Sequence, residues 1–292
     1  MTDYGVLFRE LAIPRLVGST NHQRVREVLK RELSARGFAV EEHAFSGRPA
    51  RALVGTPTTI GGVNLIAQRP IRPSAHPPVW LVAHYDSKGQ PISMAVRLAG
   101  FCSLALGFVG LFFVPVPAVL LLLPGIVITS QNRVTNDSPG ALDNATALVA
   151  LFMAIDQLPE NGSVGVIFPD AEEYGLVGSR ALAADRTELF RDAAVINLDG
   201  IDDSGRPTVL LHRPGAIGSA LVEALKARKW RWLPVIVDGI ALSSVSRECA
   251  TILKGNMKTM RIVHTPSDTA DRVRLDGAAS VAAGLARVLR DP

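Results

Sequence analysis

Histidine and acidic residues recur in short motifs along this chain, and most of these motifs follow an apolar run. The residues are His84 and Asp86 in HYDS, Asp143 in PGALDN, Glu172 and Glu173 in DAEEYG, Asp199 in NLDG, and His264 with Asp268 in VHTPSDT. Imidazole nitrogens mixed with carboxylate oxygens suit zinc or a similar divalent ion. One aspartate at a strand end is more often a turn or capping residue. The prediction of a metal site therefore depends on several motifs meeting in one place.

The acidic residues also suggest how a metal site would work. One aspartate that bridges two ions would give the paired-metal arrangement with which hydrolases activate water and hold a carbonyl. The adjacent Glu172 and Glu173 cannot readily point their side chains the same way. One of them can therefore bind metal while the other serves as a base.

The elements that would position these residues alternate along the chain. Buried strands ending in polar residues are predicted for VWLVAHYDS, SVGVIFPDAEE and AAVINLDG, and further strands for FAVEEHAF and TIGGVNLIAQR. Helices are predicted for NHQRVREVLKRELSAR, for the part of ALDNATALVALFMAIDQL after its polar start, for GAIGSALVEALKARKW and for DGAASVAAGLARVLR. RPIRPSAHPP is predicted to be a proline-rich connection, and SSVSRECATILKGNMKTM a loop.

This alternation predicts an α/β fold, a three-layer sandwich around a mixed, mostly parallel sheet. We expect a single domain over residues 1–292, with the inserted segment 92–131 inside it. In open sheets of this class, ligands bind beyond the carboxyl ends of the strands. Three predicted strands end in histidine or carboxylate residues, so the candidate site lies at that edge of the sheet.

In the order of these motifs, from HYDS to HTPSDT, the chain resembles the zinc aminopeptidases of peptidase family 28. That group also contains glutamate carboxypeptidase II, the glutaminyl cyclases and the transferrin receptor ectodomain. The N-terminal part from LAIPRL to HAF also resembles the family's first helix and strand. The resemblance implies a zinc-exopeptidase-like fold. It covers nearly the whole chain, except the apolar stretch described below and part of the segment before His264.

The resemblance also implies a role for each residue. Two Zn²⁺ ions would be held by five ligands, which are His84 and Asp199 for one ion, Glu173 and His264 for the other, and Asp143 as the bridge. Cobalt or manganese could replace the zinc. Glu172 would be the general base, and Asp86 would accept the free ring N–H of His84 and so orient it. Asp268 would act in the same way near His264, or cap a loop.

Three functions remain open at this point. The leading one is a di-zinc exopeptidase, an aminopeptidase that acts on peptide substrates. The second is a zinc acyltransferase like the glutaminyl cyclases, and the third is a non-catalytic binding module like the transferrin receptor.

Two departures from the family affect the specificity pocket. NATA follows Asp143 where the family has small residues with a glycine, and no tyrosine occurs after Tyr174.

An apolar stretch interrupts these motifs between Asp86 and Asp143. No charged residue occurs from Leu98 to Ile128, and Ser103 carries the only hydroxyl there. His84 and Asp143 must meet, so the chain has to leave and return on the same side of any membrane. We therefore predict a hairpin of two apolar arms, 98–113 and 118–129, joined where VPVP breaks the helix, with Pro124 interrupting the second arm.

This hairpin, residues 98–129, is predicted to insert into a membrane, either as a two-pass span or as a shallower dip. The alternatives are a dimerisation arm that makes the protein a homo-oligomer and a lid over the active site. Lys88, Arg97 and Arg133 flank the hairpin. By the positive-inside tendency they predict a membrane-associated protein whose catalytic domain faces the cytoplasm.

Composition excludes other classes of function. The net charge is +4, and the lysines and arginines are scattered rather than clustered, so no nucleic-acid partner is expected. Cys102 and Cys249 are too few for a disulfide framework.

Overall fold

The computed structural model of the protein describes residues 2–50, 56–69, 78–159 and 164–290. The helices are α1 (Tyr4–Leu11), α2 (Thr20–Ala35), α3 (Met94–Gly110), α4 (Pro115–Ser130), α5 (Thr146–Ile155), α6 (Val177–Asp185), α7 (Ala216–Ala224), α8 (Asp238–Leu242), α9 (Thr259–Ile262) and α10 (Asp276–Arg290). The strands are β1 (Ala39–Gly47), β2 (Ile60–Gln68), β3 (Val79–Val82), β4 (Val164–Phe168), β5 (Ala194–Ile201), β6 (Pro207–Arg213), β7 (Arg228–Trp230) and β8 (Glu248–Lys254).

The eight described strands form one mixed sheet in the order β1-β2-β4-β3-β5-β8-β6-β7. The centre of the sheet is parallel, since β3 pairs with both β4 and β5, and β5 pairs with β8 in the same direction. β1, β2 and β6 run antiparallel to their neighbours β2, β4 and β8. The carboxyl ends of β3, β4 and β5 consequently lie side by side at one edge.

Helices cover both faces of the sheet because the central strands are apolar on both sides. Along β3, Val79 and Leu81 pack into the large core under α1, α2, α5 and α10. Trp80 and Val82 point the other way, into a second core that also holds Leu182 of α6 and Leu242 of α8. The fold is therefore the predicted α/β sandwich around a mixed, mostly parallel sheet.

Most predicted elements are present, but some predictions are wrong. The end of GAIGSALVEALKARKW forms edge strand β7 rather than helix, and the predicted loop SSVSRECATILKGNMKTM contains strand β8, which is buried beside β5. Pro124 does not interrupt the second apolar arm, because α4 continues through it. Residues 70–77 of the predicted proline-rich connection lie outside the described residues, as do residues 160–163 before β4.

The apolar stretch forms two helices, α3 and α4, of 17 and 16 residues. They run antiparallel, since Gly100 lies against Ile128, Gly107 against Leu122 and Gly125 against Leu104. Pro115 stands in the first turn of α4, where a backbone N–H has no helical partner to lose. The turn between the helices is therefore 111–114, and the prediction that the prolines of VPVP break the helix is wrong, because both prolines lie within α4. Whether this pair of helices is an insertion relative to the family stays a prediction.

None of the helices within the described ranges combines the length and the apolar content that a membrane crossing requires.

Candidate metal centre

The polar motifs meet at the sheet edge where β3, β4 and β5 end. His84 follows β3, the pair Glu172 and Glu173 follows β4, and Asp199 lies near the end of β5. Asp143 comes from the loop before α5, and His264 from the loop after α9. Parallel neighbours bring these distant residues together, because their carboxyl ends share one edge.

The two histidines approach opposite oxygens of one carboxylate. His84 Nε2 lies 3.1 Å from Asp143 Oδ1 and 4.0 Å from Asp199 Oδ1. His264 Nε2 lies 2.9 Å from Asp143 Oδ2 and 3.1 Å from Glu173 Oε1. The potential ligands therefore form two groups of three that share Asp143, and within each group the ligand atoms lie within 4.8 Å of one another.

This arrangement fits divalent cations. Within the described residues, His84 Nε2, Asp143 Oδ1 and Glu173 Oε1 are buried and make no hydrogen bond. Buried polar atoms are normally satisfied, and leaving one unsatisfied costs about 1–3 kcal/mol. Nitrogen and oxygen atoms that converge at a buried point without bonding one another are suited to zinc, which takes both kinds of ligand.

The pKa values of the carboxyl groups at the centre also support a cation site. Burial opposes the ionisation of Asp143, but His264 and His84 hold its pKa well below its usual range. Burial opposes the ionisation of Glu173 as well, yet the charges of His264 and Lys88 lower its pKa to about 2. By contrast, burial and the negative charge of Asp143 raise the pKa of Asp199 to about 8. The centre thus holds more carboxylates than its own cations balance, so added positive charge would stabilise it.

Glu172, the predicted base, lies next to these ligands and is buried. Burial raises its pKa well above its usual value, and the charges of Glu173 and Asp199 act in the same direction. A carboxyl group with a raised pKa can both accept and return a proton near neutral pH. The role of Glu172 as the general base stays a prediction.

Asp86 lies beside His84, as the sequence predicted, and it also binds the backbone after β4. Its Oδ1 is 3.4 Å from His84 Nδ1, and its two oxygens accept the backbone N–H groups of Glu172, at 3.1 Å, and Glu173, at 3.2 Å. Asp86 therefore holds the turn that carries both glutamates. Asp268 caps a loop, because its carboxylate accepts the N–H groups of Leu142 and Asp143.

Unusual backbone conformations adjoin the site. His264 has φ +64° and Ala171, directly before the glutamates, has φ +54°. The left-handed region costs a non-glycine residue roughly 1–2 kcal/mol, and such strain persists only where the surroundings impose it. Gly140 has φ +58°, and a Cβ there would collide with the carbonyl oxygen of Asp143 and lie 2.7 Å from Ser87 Cβ. The loop that presents Asp143 therefore requires glycine at this position.

Several residues beside the site were missed in the sequence. Arg15 is fully buried and donates to the carbonyls of Tyr85, Pro139 and Gly140, which ties the loop after β3 to the loop before Asp143. Asp238, at the start of α8, is fully buried beside Ser179, and burial raises its pKa to about 6. No motif signals either residue, because each acts through contacts with distant parts of the chain.

Two cations that the sequence assigned to the flanks of the hairpin lie in the site instead. Lys88 is buried, and its Nζ donates to the Glu173 carbonyl at 2.8 Å and lies 3.1 Å from Glu173 Oε2. Arg97 lies 2.8 Å from Nδ1 of His264. Only Arg133 of the three is an exposed flanking charge. Two of the three positive charges that predicted the orientation in a membrane therefore contact residues of the metal centre instead.

A comparison with known families identifies the fold and the class of chemistry. The sequence model of peptidase family M28 matches residues 64–289, which is most of the chain. The chain belongs to peptidase family M28. The family assignment supports a zinc metallopeptidase and agrees with the donor set at the sheet edge.

Solved structures of this M28 protein's relatives share its fold at low sequence identity. A zinc aminopeptidase from Bacillus subtilis is 12% identical, with a TM-score of 0.66 over 99% of this chain and 95% of that one. A glutaminyl cyclase from Porphyromonas gingivalis is 18% identical, with a TM-score of 0.68 over 98% and 96%. An aminopeptidase from Legionella pneumophila is 13% identical, with a TM-score of 0.63 over 99% and 72%. Both activities therefore occur on this fold.

Proposed function

We propose that this M28 protein is a di-zinc aminopeptidase that removes N-terminal residues from peptides. The observation that carries the proposal is the pair of three-ligand groups that share Asp143. A single ion would need one group only, whereas His84 and Asp199 form a second group beside Glu173 and His264. A bridging carboxylate between two neighbouring sites is the arrangement of paired-metal hydrolases.

The chain's own residues account for proton transfer and for ligand orientation. When bound, the zinc ions would acidify a water molecule and polarise the scissile carbonyl. Glu172 would accept a proton from that water and return it to the leaving amine. Asp86 would keep Glu172 and Glu173 in place by binding both of their backbone N–H groups. Lys88 would fix the second oxygen of Glu173, which leaves Oε1 facing the centre.

The test is a peptide-library assay on zinc-loaded protein. We expect release of free N-terminal residues, loss of release after chelation, and recovery with two zinc ions per chain. Peptides that begin with glutamine separate the alternatives, because a cyclase would form pyroglutamate and release no amino acid. One bound zinc with pyroglutamate formation would favour the cyclase, and zinc binding with neither product would favour a non-catalytic module.

We also propose that the pair of helices α3 and α4, hereafter the apolar hairpin (94–130), attaches the protein to a membrane. Large apolar side chains are exposed along both helices, and the tip is the most exposed, with Phe112 at 74% and Phe113 at 78%. The exposed positions occur around each helix, except on the face where α3 and α4 pack together, rather than along one stripe. A protein partner would cover one face, whereas lipid covers every face.

The interior of the apolar hairpin also suits an environment without water. Its helices approach closely at Gly100, Gly107 and Gly125, and small residues at the contact are typical of helix pairs in lipid. The Ser103 hydroxyl donates to the Leu121 carbonyl at 2.6 Å, and Thr129 donates to Gly125 at 2.8 Å. Polar groups satisfied within the hairpin can enter hydrocarbon at low cost.

Of the two arrangements open from the sequence, we favour a shallow insertion of the tip over a complete two-pass span. Flotation with vesicles of phosphatidylcholine and phosphatidylglycerol tests it, since the protein should float with the vesicles. A stable dimer in detergent-free buffer without flotation would favour the dimerisation arm instead. A cytoplasmic orientation is part of the proposal, and protease protection in sealed cells would test it.

A further inference from the structure

The apolar hairpin is attached directly to the loop that carries His264. At its base, Gly89 and Thr135 exchange backbone hydrogen bonds of 2.8 and 2.9 Å, which join the segment entering the hairpin to the segment leaving it. The next residue, Gln90, donates its backbone N–H to the His264 carbonyl at 2.7 Å. Helix α3 also packs against α9, which ends two residues before His264. A shift of the hairpin would therefore move this histidine.

Two side chains from the base of the hairpin compete for Nδ1 of His264. Arg97 Nη2, on α3, lies at 2.8 Å and Gln90 Oε1 at 3.1 Å. The Gln90 amide is held in one orientation, because its Nε2 donates to Asn132 Oδ1 at 2.7 Å on the other side of the hairpin. Its oxygen therefore faces the imidazole. Nδ1 consequently has a donor on one side and an acceptor on the other.

These two neighbours require opposite states of the imidazole. Arg97 can only donate, so its contact needs a lone pair on Nδ1. Gln90 Oε1 can only accept, so its contact needs a proton there. A metal ion at Nε2 takes the lone pair of that nitrogen and leaves the proton on Nδ1. The metal-loaded histidine therefore matches Gln90 and is incompatible with Arg97 in its present position.

We infer that Arg97 opposes metal binding at the His264 side of the centre and that Gln90 promotes it. Both are positioning residues, and the inference rests on the proposed function because it takes His264 as a metal ligand. The guanidinium also lies near the charges of Glu173 and Asp143, where it would repel an incoming cation. A metal ion can bind at the His264 side only when Arg97 moves away from Nδ1 of His264. Arg97 lies on α3, which is part of the apolar hairpin.

The experiment is a stepwise titration of metal-free full-length protein with Co²⁺, followed by its visible absorption, and with Zn²⁺ against a chromophoric chelator. Gln90→Leu should weaken one binding step about 10–100-fold, as expected for the loss of a partner behind a metal-bound histidine. Arg97→Met should tighten the same step about tenfold, because a charge-assisted contact of the metal-free state is lost. The step assigned to His84 and Asp199 should stay unchanged in both variants.

Exposed neighbours supply matched controls. Arg133→Met and Gln131→Leu remove the same residue types at the far base of the hairpin, and both should bind cobalt like the unaltered protein. Gln90→Glu keeps an acceptor facing Nδ1 and should restore most of the affinity lost in Gln90→Leu.

The outcomes separate this inference from the proposed function. If the unaltered protein binds no metal, the proposed function fails. If it binds two ions and both variants titrate identically to it, only the inference fails. Weaker binding of both steps in Arg97→Met would also overturn the inference, because it would indicate a purely structural role.

Discussion

The metal centre and the apolar hairpin depart from the usual composition of a protein's interior and surface in opposite directions. At the centre, histidines and carboxylates are buried, although such groups are normally exposed unless paired. On the hairpin, phenylalanine, leucine and valine side chains are exposed, although such groups are normally buried. Each departure is costly for the chain alone. Under the proposed function, bound cations would offset the first cost and lipid would offset the second.

The two regions also differ in how they are held. Residues of the centre are fixed by long-range hydrogen bonds to backbone groups, as Asp86 is to the turn at Glu172 and Arg15 is to Gly140. The hairpin is held by close helix packing and by its base alone. Changes at the centre should therefore affect chemistry strongly, while changes near the tip of the hairpin, away from Gln90 and Arg97 at its base, should affect attachment and leave the centre intact.

The largest effect is expected for Glu172→Gln. The amide cannot accept a proton, and a positioned general base contributes roughly 10²–10⁴-fold to the rate. We expect a loss of kcat in this range on an aminoacyl p-nitroanilide, with zinc content unchanged by elemental analysis. Full activity in this variant would show that another group is the base.

Loss of membrane attachment is expected for Phe112→Ser combined with Phe113→Ser. Burial of each phenylalanine contributes about 1.5–3 kcal/mol, so vesicle binding should weaken about 100-fold or more while zinc binding is kept. Trp232→Ser is the matched control, because Trp232 is 73% exposed outside the hairpin. Equal flotation of all three proteins would mean that the tip does not enter the bilayer.

A smaller effect is expected for Asp86→Asn. The amide has one oxygen for the two backbone N–H groups of Glu172 and Glu173, so the turn loses one of its bonds. Zinc affinity or activity should fall about 10–100-fold, as measured by chelator competition and kinetics. Asp137→Asn, at an exposed loop position, is the comparison.

The smallest effect on enzyme activity is expected for Gly107→Ala, a change within the apolar hairpin. The added Cβ would lie 2.7 Å from Leu122 Cγ and push α3 from α4, at a cost of about 1–3 kcal/mol in the hairpin. Protease sensitivity should rise between the two helices, while the kcat of the enzyme stays within about twofold. A large loss of kcat would show that the hairpin and the centre are coupled more tightly than their separate packing suggests.

The secondary structure near the site was largely predictable. Apolar runs that end in HYDS, DAEE and NLDG predicted β3, β4 and β5, and their parallel order predicted a shared edge. Strand β8 was missed because ECATILK lies among polar and glycine residues, and its burial beside β5 is a property of the sheet rather than of the segment. Pro124 was misread because a proline within a helix can be accommodated, and α4 continues through it.

By itself, the sequence determined the chemistry available to this protein, because residue types set which groups can bind a cation and which prefer lipid. Only the tertiary structure decided how the two regions meet. Arg97 and His264 are 167 positions apart, and their contact depends on how α3 packs against α9. Packing of this kind depends on the fit of whole helices, which periodicity along the chain does not encode. In the sequence, Lys88 and Arg97 therefore resemble flanking charges, and in the folded protein they contact the metal centre.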